Sequence, residues 1–330
     1  MAMRGGGHWN WGAEALWRQL EPLLPGIALE VVARTDSTNT RLIERARLSG
    51  GRRDAPVSRP GDLDAAEPPP ATPLGRRADD LRPCLLVAEE QTRGRGRLGR
   101  DWASSPGASL TFSLALPLEP VDWSGLSLAV GVALADALDP LPDGEAAPAD
   151  AAAAGRGPMH EAVRIGVKWP NDLWLRDPGC VGRKLGGVLI ETIPVGRQRM
   201  CVVGVGLNIA PLQDAETPGL SSGYACLQEI DPGATPPAVL ARVALPLAQA
   251  LLRFEREGFA SVAQGFARRD LLRGHPIQTS QPEPLAGIAD GVDARGGLCL
   301  RIDGAGHTVV SGEVSVRLPG RGDPQEGTAC

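Results

Sequence analysis

The sequence has six cysteines (Cys84, Cys180, Cys201, Cys226, Cys299 and Cys330) but not one C-x-x-C pair. That excludes a zinc-site spacing and the dense pairing of a small disulfide scaffold, and reduced thiols are the simplest reading. A positive charge excess is also missing. Against 39 Asp and Glu stand 34 Lys and Arg, a formal net charge of -5, which argues against broad attraction to nucleic acid or an anionic membrane. The opening MAMRGGGHWN lacks the apolar core of a signal peptide, and the apolar runs read as too short for a bilayer span. A soluble, cytoplasmic protein without a membrane partner is the expectation. No tandem repeat is present, and 330 residues suffice for one large domain, or a large and a small one, with a real core.

On this acidic background, any anion site must be local. One stretch stands out: QTRGRGRLGRDW, residues 91–102, in which Arg93, Arg95, Arg97 and Arg100 alternate with Gly94, Gly96 and Gly99. It can be a solvated basic segment that meets single-stranded nucleic acid. It can equally be a loop whose glycines allow close backbone approach while its arginines offer forked donors to a phosphate or carboxylate. Each charge-assisted hydrogen bond of that kind contributes roughly 1.5–3 kcal/mol once water is excluded.

Around this loop the pattern alternates between strands and helices. IALEVVA from Ile27 reads as a strand, followed by a helix through Leu42, Ile43 and Ala46 with Asp36, Ser37 or Thr38 as its cap. Residues of about 49–80 are rich in Pro, Gly and charge and read as a mobile insertion, as do residues of about 140–158. PCLLVAEE and ASLTFSLALPL read as strands, and SGLSLAVGVALADAL as a helix capped by Ser124. RIGVKW, KLGGVLIET and MCVVGVGLNI then follow too closely for parallel crossovers, so the sheet is expected to be mixed or antiparallel. A helical region from about 236 to 273 is interrupted by Pro246, and short strands with Gly turns beyond Gly274 predict a small terminal β-barrel. The expected class is therefore α+β. Residues 1–26 form an N-terminal extension, 27–272 a mixed-sheet domain flanked by helices, 273–320 a small SH3-like barrel, and 321–330 a tail.

Other unusual segments lie at predicted strand ends. KWPNDLW, residues 168–174, joins Lys168, a Pro170-Asn171-Asp172 turn signal and two tryptophans; by itself it is compatible with an ordinary turn. RKLGGVLIE places Lys184 at the mouth of a strand, where a lone lysine is commonly a solvated edge charge. GVGLNI ends on Asn208, a turn residue or a ligand contact.

The ordered set DSTN (36–39), QTRGRGRLGRDW, KWPNDLW, RKLGGVLIE and VVGVGLNI closely resembles the catalytic domain of biotin protein ligases, and GEVSVRL resembles the end of that family's C-terminal barrel. The resemblance implies an enzyme that uses ATP and magnesium to convert biotin to biotinyl-5′-AMP, then transfers it to a lysine of a biotin carboxyl carrier protein domain. It puts Ser37, Thr38 and Asn39 at the biotin ring with Gln91 beside them. Arg95, Gly96 and Arg97 would line the carboxylate and phosphate, Lys184 the reacting acyl-phosphate oxygens, and Trp102 would help close the site. Asp172 would orient the carrier amine, as a true base or as a positioning group. Lys168, Asn171 and Asn208, with Trp102, are the implied adenylate contacts. The magnesium ligands stay unknown and a homodimer stays open. Some family members carry an N-terminal helix-turn-helix domain. Here about 26 residues precede the first strand, so a form without the DNA-binding domain is expected. Leu98 departs from the pattern by standing where relatives carry a further basic residue. Rival readings are a lipoate or octanoate ligase of the same fold, a nucleic-acid-binding regulator, and a biotin sensor without catalysis.

Overall fold

The computed structural model describes residues 9–50, 81–141, 163–177, 180–212, 223–280, 283–310 and 316–317. Most of the insertions expected at 49–80 and 140–158, and the tail at 321–330, lie outside these residues. The main sheet has seven strands in the order β1-β2-β5-β9-β8-β7-β6. They are β1 (Ala28–Thr35), β2 (Cys84–Gln91), β5 (Ser109–Pro117), β6 (Ile165–Lys168), β7 (Asp172–Asp177), β8 (Cys180–Val195) and β9 (Gln198–Asn208). Only β1 and β2 pair in parallel, bridged by the helix α2 (Thr38–Gly50); every other neighbouring pair is antiparallel. The mixed sheet read from segment spacing is therefore the observed one.

Alternation along the strands divides the side chains between two cores. Leu85, Val87, Phe112, Leu114, Val203 and Val205 face the helices α1 (Ala13–Leu20), α3 (Leu126–Leu138), α4 (Pro236–Glu257) and α5 (Ala263–Arg269). Leu86, Ala115, Met200 and Val202 face Leu42, Ile43 and Ala46 of α2 on the opposite side. At about 25 cal/mol per Å² of apolar surface removed from water, the first and larger face supplies most of the driving force. The second face is only partly roofed by α2, and it carries the polar site.

Several local expectations are corrected. The cap of α3 is Gly125, with φ 80°, not Ser124; a Cβ at Gly125 would come 2.5 Å from Phe259, so only glycine fits this left-handed position. Pro246 does not interrupt α4, which runs unbroken for 22 residues. An internal proline costs about 3 kcal/mol. Val239, Leu240, Val243, Leu247, Leu251 and Phe254 line one buried face of that helix, each offsetting roughly 1.5–3 kcal/mol. The same helix is long and apolar enough, by length and composition, to cross a membrane, contrary to the reading of short apolar runs; it packs against α3, α1 and β5. The turn signal at Pro170-Asn171 lies between β6 and β7, but Asp172 already belongs to β7, a strand the local pattern does not announce because Leu173, Trp174 and Leu175 are all buried and so show no alternation; it pairs on both sides.

Residues ahead of β1 contribute to the main core through Trp11, Leu16, Leu20 and Leu24. At the other end, β10 (Pro276–Thr279), β11 (Ala286–Val292), β12 (Leu298–Ile302), β13 (Ala305–Val309) and β14 (Val316–Arg317) form an antiparallel sheet in the order β13-β12-β11-β10-β14. Among the described residues β13 and β14 are its two ends, so the expected barrel is seen as a sheet. It shares a core with the main domain through Ile277, Ala289, Leu298 and Leu300, and Trp169 Nε1 donates to the Gly296 carbonyl at 2.9 Å.

Candidate active site

The α2-facing surface of the sheet is floored by glycine. Gly204 and Gly206 on β9 and Gly187 on β8 share that face, since Gly187 is the direct partner of Gly206. A Cβ at Gly204 would collide with the Asn39 amide, and one at Gly206 with the indole of Trp102. Glycine is thus what lets polar side chains and an aromatic ring lie directly on the backbone.

Ser37, Thr38 and Asn39 are all buried at the start of α2, where Ser37 Oγ takes the Thr40 amide at 3.4 Å, the position of a helix cap. Gln91 Oε1 accepts from the Thr38 amide at 2.7 Å and from its hydroxyl at 3.1 Å. Ser113, fully buried on β5, sets its hydroxyl 2.6 Å from both Thr38 Oγ1 and Asn39 Oδ1, its single proton going to one of the two at a time. Asn39 Nδ2 donates to Glu191 Oε2 at 2.9 Å and to the Leu189 carbonyl at 3.2 Å. In a low-dielectric setting such a satisfied network holds its members in one arrangement.

The Arg/Gly stretch folds as a short hairpin of β3 (Gly94–Arg95) and β4 (Asp101–Trp102) joined by a 3₁₀ turn at Arg97–Gly99. Leu98 sits in that turn at φ 59° with its side chain exposed, so the departure from a basic residue falls on a solvent-facing position. Arg95 binds Glu191 Oε1 at 2.9 Å and Thr40 Oγ1 at 3.2 Å. Gly96 ties the hairpin through its amide to the Arg100 carbonyl at 2.7 Å. Arg97 turns the other way, toward Asn171 Oδ1 at 3.4 Å; burial lowers its pKa from the ordinary guanidinium value, partly opposed by the charge of Asp172.

Lys184 and Asp172 meet at 2.8 Å, with Trp102 above the ammonium at 6.0 Å from ring centroid to Nζ. The Trp102 Nε1 is buried without a hydrogen-bond partner. Lys168, opposite Asp172 in the β6–β7 register, rests over Trp174 at 4.2 Å. Asn171 anchors β8 by donating to the Val188 carbonyl at 2.7 Å. Asn208 spends its amide on the carbonyls of Lys184 and Ala225 at 3.2 and 3.0 Å, so it fastens the backbone at Lys184. Trp169 lies in the main core, on the other side from Asp172.

A cleft of about 280 Å³ opens beside Arg97, Asn171, Val188 and Ile190. Its Val188 and Ile190 lie on the main-core side of β8, so this cleft adjoins the glycine-floored face through Arg97 and Asn171 and does not contain it; a larger one of about 380 Å³, among Leu118, Trp123, Pro194 and Arg199, includes none of the residues singled out from the sequence. Among the described residues, no group of three His, Cys, Asp or Glu side chains could hold a metal ion. Ser113, Glu191, Gly204 and Gly206 were not anticipated. Glu191 ends a quoted motif, and the two glycines recur at the strand period of two, a signal that places them on one face.

A mixed sheet with one half-open, glycine-floored face, on which Arg95 pairs with Glu191 and Lys184 with Asp172, is the kind of polar, cation-lined site an anion-handling enzyme uses. Residues 81–208 match the Biotin/lipoate A/B protein ligase family. The biotin acetyl-CoA-carboxylase ligase of Mycobacterium tuberculosis is 30% identical over 311 residues, covering 92% of this chain and 91% of that one. The bifunctional ligase/repressor BirA of Escherichia coli is 33% identical over 235 residues, or 70% of this chain; the match spans 65% of its length. The biotin protein ligase of Aquifex aeolicus in complex with biotin and ATP has the same fold, with a TM-score of 0.60 at 22% identity, over 88% of this chain and 98% of that one. The chain belongs to the biotin protein ligase family.

Proposed function

We propose that the protein activates biotin with ATP as biotinyl-5′-AMP and transfers the biotinyl group to a lysine of a biotin carboxyl carrier protein domain. The observation that carries this reading is the Lys184–Asp172 pair, set on the glycine floor between the buried Ser37-Thr38-Asn39 network and Arg97.

In the first step a biotin carboxylate oxygen attacks the α-phosphorus, an O–P bond forms, and the bond to the β-phosphate breaks as pyrophosphate leaves with its electron pair. Negative charge gathers on the oxygens around phosphorus. Arg97 and Lys184 are fixed cations for that charge, and fixed donors need little reorganisation during reaction. Thr38, Asn39, Gln91 and Ser113, fixed by their own hydrogen bonds, form the polar wall proposed for the ureido ring, and the unpartnered Trp102 Nε1 supplies a free donor beside it. Lys168 and Asn171 are the proposed adenylate neighbours, with Asn208 holding the backbone at Lys184 beside them. Magnesium would come with the triphosphate and take most of its oxygens from phosphate and water, so the protein need contribute no more than one or two carboxylates, and it would supply charge neutralisation there.

In the second step the carrier amine attacks the acyl carbon, a C–N bond forms, and the C–O bond to phosphate breaks to release AMP. A free lysine with a pKa near 10.4 is neutral in only about one molecule in 2,500 at pH 7. When the acyl phosphate draws the Lys184 ammonium, Asp172 loses its resting partner and can take up the incoming ammonium in exchange, orienting it and accepting its proton. The experiment is direct: incubate the protein with ATP, magnesium and a carrier domain, with biotin or lipoate, and weigh the carrier by mass spectrometry. Biotin-dependent mass gain is expected, and exclusive lipoyl transfer overturns the reading.

A further inference from the structure

We propose that Arg183 is a positioning residue for Lys184, an inference that rests on the biotin-activating reading of the site. It starts from an irregularity in the sheet. Leu173 pairs with Gly186 but the next residue, Trp174, pairs with Lys184, so β8 carries one extra residue, Leu185, at this point. Such a bulge bends a strand and re-aims a side chain, and it leaves the local ladder incomplete. On its other side β8 pairs with β9 only from Gly186 onward; at Lys184 that place is taken by residues 223–225. Lys184 donates its amide to the Gly223 carbonyl at 3.3 Å, and its carbonyl accepts from the Ala225 amide at 2.9 Å.

The direction of the Lys184 ammonium thus depends on a short non-strand segment staying in place. Arg183 is what fastens it. Its guanidinium forks onto Asp177 at the end of β7, with Nε to Oδ2 at 2.7 Å and Nη2 to Oδ1 at 2.8 Å. The same group reaches Glu229 Oε2 at 2.7 Å and Oε1 at 3.2 Å, and the Tyr224 carbonyl at 2.8 Å. Its stem lies against Gly223, where a Cβ would come 2.8 Å from Arg183 Cγ, and φ at Gly223 is 67°. Five donors in one plane are required to span two carboxylates and a carbonyl, and a lysine ammonium offers no such fork. Arg183 therefore joins β7, β8 and the 223–229 segment around one backbone position, that of Lys184, while its own charge is consumed by its partners.

The test compares wild type, Arg183→Met, which keeps the stem and removes the fork, Lys184→Ala and the double variant. Biotin-dependent exchange of pyrophosphate into ATP gives kcat and KM, and acylation of Lys184 by an amine reagent, mapped by peptide mass, reports the ammonium directly. In Arg183→Met, kcat is expected to fall by about 10- to 100-fold, the effect of misplacing a reacting group by about an ångström, with KM for biotin changed less than about threefold. The labelling rate of Lys184 should change several-fold, and the double variant should be no worse than Lys184→Ala alone. Unchanged kcat, or additive losses in the double variant, overturns the inference while leaving the biotin reading intact. A wild-type protein without exchange overturns the biotin reading instead, and unchanged Lys184 labelling in Arg183→Met then overturns the positioning role as well. If Arg183→Met does not fold, Glu229→Gln, which weakens one arm of the clamp, must show the same split in smaller measure or the inference fails.

Discussion

The Lys184 ammonium lies 2.8 Å from the Asp172 carboxylate, each about three-quarters buried, so the two groups that the proposed half-reactions need are each other's resting partner. Replacing Lys184 with Ala is expected to reduce adenylate formation by about two to three orders of magnitude, as loss of one fixed oxyanion donor does. Asp172→Ala should depress transfer to the carrier more than adenylation. Single-turnover measurement of each half-step checks this, and equal loss of both in the Asp172 variant rejects the exchange of ammonium groups at this carboxylate.

Arg95 and Arg97 point to different partners, and their replacement should therefore differ in kind. Arg97, desolvated against Asn171, is expected to cost adenylation directly when changed to Ala, by about 10- to 100-fold. Glu191→Gln removes the carboxylate that holds Arg95 and is expected to speed tryptic cleavage within residues 93–100 several-fold. Equal cleavage rates in the two proteins would show that Glu191 does not secure the hairpin.

The glycine floor makes a steric prediction. Gly206→Ala must push Trp102 off the sheet, and Gly204→Ala must displace Asn39 from Ser113 and Glu191. Each variant should bind biotin at least about 10-fold more weakly, the equivalent of roughly 1.4 kcal/mol. Titration calorimetry decides, and wild-type affinity in both would remove the floor from the binding site.

Asp270, at the junction of α5 with the C-terminal sheet, is pushed up to about pH 6 by burial, its Oδ2 unpartnered while the Leu272 amide donates to Oδ1 at 3.0 Å. Because this carboxyl holds its proton more tightly folded than unfolded, stability should decline as pH rises from about 4 to about 6 and stay lower above that window. The shift is worth on the order of 3 kcal/mol at most. Asp270→Asn should flatten that decline in chemical denaturation between pH 4 and 7; an unaltered slope would trace it to other groups.

Much of this was legible because local chemistry is short-ranged. The strand at ASLTFSLALPL, the start of α2 near Asp36, Ser37 and Thr38, and the close spacing of the strands after Arg164 each follow from residues within a short stretch, and the ordered motifs pointed to the family; the hairpin formed by the Gly-Arg repeat did not follow locally. What stayed hidden has distant causes. Asn39 finds Ser113 and Glu191 across 74 and 152 residues, and Arg183 finds Glu229 across 46, distances over which no periodicity in the chain carries information. Pro246 read as a break because propensity counts only the lost hydrogen bond, whereas burial of α4 against α3 outweighs it. The sequence by itself determined which residue types are available for anion chemistry and the order in which they are threaded. Only the packed sheet decided that they share one face, because facing is set by register and by a bulge at Lys184, both of which depend on strands from remote parts of the chain.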